Sequence, residues 1–164
     1  MNKFKRNATK FAMAAALALL VSVPFVLAAE QTRESYVAQV EPICKSNTKA
    51  NEKILKGVKA EVKAGKLAPA ALQISKAAKA LKRTLTQLRA VPQPKSDKPK
   101  LTKWLGYIKT EVELFERTAK KLKSGDKAGA ERMSVLLTHE SNLANNAVLA
   151  FNFHYCHAEP SKFL

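Results

Sequence analysis

The chain has 164 residues and carries 29 Lys and Arg against 13 Asp and Glu, a formal charge of +16. That length suits one ordinary domain, and 46% apolar with 26% charged residues excludes a disordered, collagenous or multi-span membrane protein. Only five glycines and a shortage of strand formers turn the reading from all-β to all-α.

At the start, Lys3, Lys5, Arg6 and Lys10 precede an uncharged run from Phe11 to Val26. Pro24 breaks that run near its end, and Val26 and Ala28 sit at the −3 and −1 positions of a cleavage site. This layout predicts a secretory signal peptide over 1–28. The mature domain is then 29–164, with four basic residues fewer and no acid lost, so +12. The alternative is an uncleaved anchor, since Phe11 to Ala29 is long enough to span a bilayer. Either way the expected location is secreted or on the exterior of the cell envelope.

The first predicted helix carries Val37, Val40, Cys44, Asn47, Asn51, Ile54, Val58 and Val62 on one face. Pro42 marks where its main part begins, after a short helical lead-in. Gly65 and Pro69 separate it from a second helix with the seam Leu67, Ala71, Ile74, Ala78, Leu81, Leu85 and Leu88. The prolines at 92, 94 and 99 form a stiff linker, with Ser96 or Asp97 available to cap the next helix. Leu101, Leu105, Ile108, Val112, Phe115, Ala119 and Leu122 make a third seam with the same alternating steps of four and three. Gly125 and Asp126 end that helix and cap a fourth, which runs through Met133, Leu137, Glu140, Ala144, Val148 and Phe151, flanked by Leu136, Leu143 and Ala147. Glu159-Pro160 is expected to end the ordered chain. Heptad seams of matched length joined by short loops predict an antiparallel up-down-up-down four-helix bundle with coiled-coil-like packing.

The two cysteines, Cys44 and Cys156, fall at the same end of such a bundle, and export permits their oxidation. A disulfide is therefore expected. A bridge closing so long a loop is worth about 4 to 5 kcal/mol in the chain-entropy account.

Motifs that carry chemistry are missing. No glycine-rich phosphate loop, dinucleotide fingerprint or haem attachment motif occurs, so no cofactor is expected. The two aspartates, Asp97 and Asp126, both stand at helix caps, which leaves no acid for a Ser-His-Asp arrangement. His154 and His157 are spaced i,i+3 but lie beside the cysteine expected to be oxidised, so no metal site is assigned. Asn47, Asn51 and Glu140 interrupt apolar stripes. They are read as register control rather than as one site, because the two asparagines fall near the disulfide end and Glu140 in the other half. The aromatic string Phe151-Asn152-Phe153-His154-Tyr155, with Trp104, Tyr107 and Phe115, is read as core.

The ends of the mature chain carry a resemblance. Tyr36-Val37-Ala38-Gln39-Val40-Glu41-Pro42-Ile43-Cys44-Lys45 and Phe151-Asn152-Phe153-His154-Tyr155-Cys156, with Trp104-Leu105 and Ala144-Asn145-Asn146 between them, resemble a group of small exported actinobacterial helical-bundle proteins with a cysteine near each end. The resemblance implies export, the bundle and the cysteine pair, and brings no catalytic residue with it.

Charge gives the best functional clue. From Cys44 to Ser96 there are 13 basic residues and two acids, Glu52 and Glu61. On one continuous helix, Lys45, Lys49, Lys53, Lys56, Lys59, Lys63 and Lys66 fall in a single stripe opposite the apolar seam. Lys76, Lys79, Lys82 and Arg83 extend it onto the second helix. The expectation is a noncatalytic protein contacting anionic cell-surface polymers or a membrane surface through these residues. Sequence-specific nucleic-acid binding is not expected, because the segment has no aromatic residue for stacking and few arginines for bidentate readout. The alternative is a small-molecule or metal carrier using a polar bundle pocket or the aromatic end.

Overall fold

The computed structural model of the chain describes residues 30–162, so the expected signal peptide and its cleavage site lie outside the described residues. Every regular element among those residues is helical: α1 (Arg33–Ile54), α2 (Val58–Lys63), α3 (Leu67–Ala90), α4 (Lys98–Lys123) and α5 (Lys127–Ala147), followed by 3-10 turns at Leu149–Phe151 and Pro160–Lys162. Together α1 and α2 take the place of the first predicted helix. The fold is the antiparallel four-helix bundle that the seams predict, with one helix in two pieces.

The seams explain the packing. On α4 all seven seam residues are buried, and on α3 six are, with Leu67 half-buried at the end. Helix α4 lies against both α3 and α5. Its buried arc is therefore wider than one seam and takes in Trp104, Glu111, Leu114 and Thr118 as well. Helices α1 and α2 pack on α3. On α5, Leu137 and Ala144 turn inward, as do Val148 and Phe151 just beyond its end, whereas Val135 and Leu136 face solvent.

Helix α1 departs from expectation at both ends. It starts at Arg33, where the Thr32 hydroxyl oxygen accepts the Ser35 N–H at 3.1 Å. It then runs straight through Pro42, which has no N–H to give to the Ala38 carbonyl. At its far end it stops at Ile54. Gly57 adopts φ +88°, a left-handed conformation that costs glycine little and other residues more, and α2 restarts at Val58. Leu55 and Val58 are both buried across this kink.

Asp97 stands at the N-cap position of α4 but makes no side-chain cap bond there. Its buried carboxylate instead accepts two hydrogen bonds from Arg33 at 2.6 and 2.9 Å, tying the start of α1 to the start of α4. The Arg33 guanidinium holds the Asp97 carboxyl below the usual carboxylate range. Asp126 behaves as expected: its carboxylate accepts the Gly129 N–H at 2.7 Å and caps α5.

Beyond α5 the chain reverses at Asn152, in the left-handed region at φ +51°, and runs back as a tail. Phe153 stacks between Trp104 and Phe151, each at 5.4 Å, so the aromatic string is core. The expected disulfide is formed, with the Cα atoms of Cys44 and Cys156 5.0 Å apart. The Glu41 carboxylate accepts the His154 and Tyr155 N–H groups, and the Thr48 hydroxyl donates to the Tyr155 carbonyl at 3.3 Å. On the other side Asn145 exchanges two 3.0 Å hydrogen bonds with the backbone of Ala158. The tail thus laces α1 to α5. Order continues past Glu159, because Pro160 is buried and the turn it opens packs on α5.

Candidate functional site

Two features stand out: the basic exterior of α1 to α3, and a cavity inside the bundle.

All eleven basic residues singled out in the sequence, Lys45, Lys49, Lys53, Lys56, Lys59, Lys63, Lys66, Lys76, Lys79, Lys82 and Arg83, are solvent-exposed. The kink corrects their arrangement. Lys45, Lys49 and Lys53 ride on α1, Lys56 sits in the turn, Lys59 and Lys63 are on α2, and Lys66 caps α3. They form a run of basic positions along a bent hairpin rather than one straight helical stripe. The ion pairs among the described residues use Arg33, Lys95, Lys109, Lys121 and Lys162. None of the eleven is paired with a carboxylate. Lys45 alone has a specific partner, the Tyr155 ring, with its ammonium 4.8 Å from the centroid.

The cavity has a volume of about 140 Å³ and is bounded by α1, α3, α4, α5 and the tail. That is comparable to an engineered cavity that takes up benzene. It exists because α1 packs on α3 while the tail, rather than a close α1–α5 contact, closes the remaining side. Asn47 and Asn51 line it from α1, Thr84 from α3, Glu111 from α4 and Ser141 from α5. Trp104, Ile108 and Phe115 supply much of its apolar wall, and the disulfide forms part of the boundary.

Glu111 is 3% exposed and Ser141 1%. Burial pushes the Glu111 carboxyl up to about 7; the neighbouring Ser141 hydroxyl acts in the opposite direction and the charge of Glu140 adds to the rise. Glu111 Oε1, Ser141 Oγ and Asn51 Oδ1 are all buried without a hydrogen-bond partner. The Asn51 amide N–H donates only to Asn47, at the outer limit of 3.5 Å.

Glu140 lies apart from Asn47 and Asn51, as the sequence reading has it, but the two asparagines line a cavity. Asn47 and Asn51 do belong to a shared polar interior, but with Glu111, Thr84 and Ser141 rather than Glu140, which is half-buried and lies outside the lining. Glu111 escaped notice because it lies beside the α4 seam, one residue before Val112. A second stripe at steps of seven, Trp104, Glu111 and Thr118, carries the signal. It marks the side of α4 that the bundle also buries.

Among the described residues, no group of three or more His, Cys, Asp or Glu side chains is placed to hold a metal, and His139, His154 and His157 are all exposed. No helix among them is long and apolar enough to cross a membrane. Comparison with protein-family descriptions, curated proteins and solved structures finds no match to this chain.

Proposed function

We propose that this is an exported, noncatalytic helical bundle that attaches to anionic polymers of the cell envelope through the basic exterior of α1, α2 and α3. The observation that carries the reading is the eleven exposed cations on and between these helices, none engaged by a carboxylate. Unpaired surface lysines keep their counterions. A polyanion that displaces those ions gains affinity from their release and loses it as salt rises. At 0.15 M ionic strength the screening length is about 8 Å, so only a polymer lying along the hairpin stays attracted. The chemistry suits a phosphate or carboxylate chain without sequence, since Lys acts as a point charge and the segment has no ring to stack on. A buried disulfide is in keeping with an oxidising compartment, and so is the resemblance to small exported actinobacterial proteins.

The test is elution from immobilised polyphosphate on a salt gradient. One variant combines Lys49→Glu, Lys53→Glu and Lys56→Glu; a control combines Lys100→Glu, Lys120→Glu and Lys123→Glu on α4. Both alter the formal charge equally and all six positions are exposed. The first is expected to elute well before wild type and the control close to it. Equal losses would assign retention to net charge and contradict a localised face. Binding to anionic vesicles but not to polyphosphate would transfer the role to a membrane surface.

A further inference from the structure

The interior cavity is built around a buried carboxyl group, Glu111, which has the Ser141 hydroxyl as a neighbour but no cation among the described residues to pair with. A buried carboxyl without a cation or a full set of hydrogen bonds costs several kcal/mol of desolvation, and such groups are ordinarily paired. Here three oxygens on three helices, Glu111 Oε1 on α4, Ser141 Oγ on α5 and Asn51 Oδ1 on α1, are left without partners around one cavity. Carboxylate and amide oxygens accept hydrogen bonds, and a hydroxyl both accepts and donates. The unmet demand inside the bundle is therefore for donors. Around these oxygens the wall is apolar, with Trp104, Ile108, Phe115 and Leu81.

We infer that this cavity is a binding site for a small primary amine, with its ammonium group against Glu111, Ser141 and Asn51 and a short hydrocarbon body against Trp104, Ile108 and Phe115. An ammonium has three N–H donors and no acceptor, which matches the three unpartnered oxygens. The volume of about 140 Å³ suits a body of a few carbons or one ring. Access runs between α1 and the tail, where the exposed residues Glu52, His157 and Glu159 reach the cavity lining. This site is separate from the lysine face and stands whether or not that face binds a polymer.

Binding has a proton signature. Below about pH 7 the Glu111 carboxyl of the empty cavity holds its proton. An ammonium beside it favours the carboxylate, so the carboxyl O–H breaks and one proton passes to solvent: carboxylic acid plus ammonium gives the carboxylate–ammonium pair plus H⁺. The other ionisable groups lining the cavity are Glu52 on α1 and Tyr155, His157, Glu159 and Lys162 on the tail; α3 contributes none, and Glu140 on α5, outside the lining, acts on Glu111 through its charge. Affinity for an amine should rise with pH up to about 7 and level off above it.

The test is titration calorimetry of the full-length oxidised protein with butylamine, butan-1-ol and butyrate, in buffers of different ionisation enthalpy. Butylamine is expected to bind, releasing close to one proton at pH 5.5 and almost none at pH 8.5. Butan-1-ol should bind at least about tenfold more weakly, because a charge-assisted contact is lost, and butyrate not at all. Glu111→Gln, nearly the same shape, should weaken butylamine about tenfold or more and abolish the proton release, while the triple reversal on the lysine face leaves both unchanged. Equal binding of butan-1-ol and butylamine by the wild-type protein would overturn the inference without any variant. So would the absence of butylamine binding, or amine binding that Glu111→Gln does not alter.

Discussion

At Glu111 the sign of the pH effect follows from burial. Below about pH 4.5 the carboxyl is protonated in folded and unfolded chains alike and contributes no difference. Between there and about 7 the unfolded chain ionises while the folded one keeps its proton, so stability falls as pH rises. Over the whole window the loss is roughly 3 kcal/mol. Glu111→Gln removes this slope, and every other group is common to both proteins. The difference in unfolding free energy between the variant and wild type, measured by denaturant titration, should therefore shift in favour of the variant from pH 5 to pH 8. A constant difference across that range would mean that Glu111 is solvated in the folded protein. The residue shows what the sequence conveyed poorly. Asn47 and Asn51 were visible as breaks in an apolar stripe, but Glu111 lies beside its seam in a helix full of charged residues. Its burial depends on α4 being packed on both sides, of which α4 itself shows only the short stripe of Trp104, Glu111 and Thr118.

Among the elements, the second and third predicted helices were legible because every seam position is apolar, and the fourth because its seam is apolar except at Glu140 and its expected cap forms. Gly125 takes φ +79°, and Asp126 caps the helix that follows. The first was legible only in part. Its stripe continues in phase through Val58 and Val62, so periodicity alone gives no reason to stop at Ile54. The stop comes from Gly57, whose positive φ is a backbone property that a periodic pattern does not register. Pro42 misled in the opposite direction. It reads as a helix start, yet α1 passes through it, with Glu41 before it accepting a tail N–H and Cys44 after it in the disulfide. Gly57→Ala and Gly106→Ala should therefore have opposite signs. Neither added Cβ meets an atom within 4 Å. At Gly57 the left-handed backbone should cost about 1–2 kcal/mol. At Gly106, inside α4, alanine should stabilise by about 0.5–1 kcal/mol. Thermal or denaturant unfolding of the two variants checks this, and a neutral Gly57→Ala would mean that the α1–α2 kink is not held in place.

At the scale of the whole molecule, the tail and its disulfide decide how the bundle closes. The expectation of export, cysteine parity and antiparallel pairing together made the Cys44–Cys156 bond readable. The backbone hydrogen bonds that fix the tail to α1 and α5 had no sequence signature beyond Glu41 and Asn145 themselves. Replacing both cysteines by alanine should lower the unfolding free energy by about 4 to 5 kcal/mol, because a closed loop spanning 112 positions no longer restrains the unfolded chain. Equilibrium denaturation checks the figure, and a loss below about 1 kcal/mol would mean that the remaining tail contacts suffice. The lysine face was legible as composition, and the structure adds exposure and the lack of paired carboxylates while replacing the straight stripe with a bent one. The most direct measurement of the attachment account is amine-acylation footprinting by mass spectrometry, with and without polyphosphate at 0.15 M salt. Protection is expected at Lys45, Lys49, Lys53, Lys56, Lys59, Lys63, Lys66, Lys76, Lys79 and Lys82, with Lys100, Lys103, Lys120 and Lys123 on α4 unchanged. Protection spread evenly over both sets, or absent from both, would contradict it.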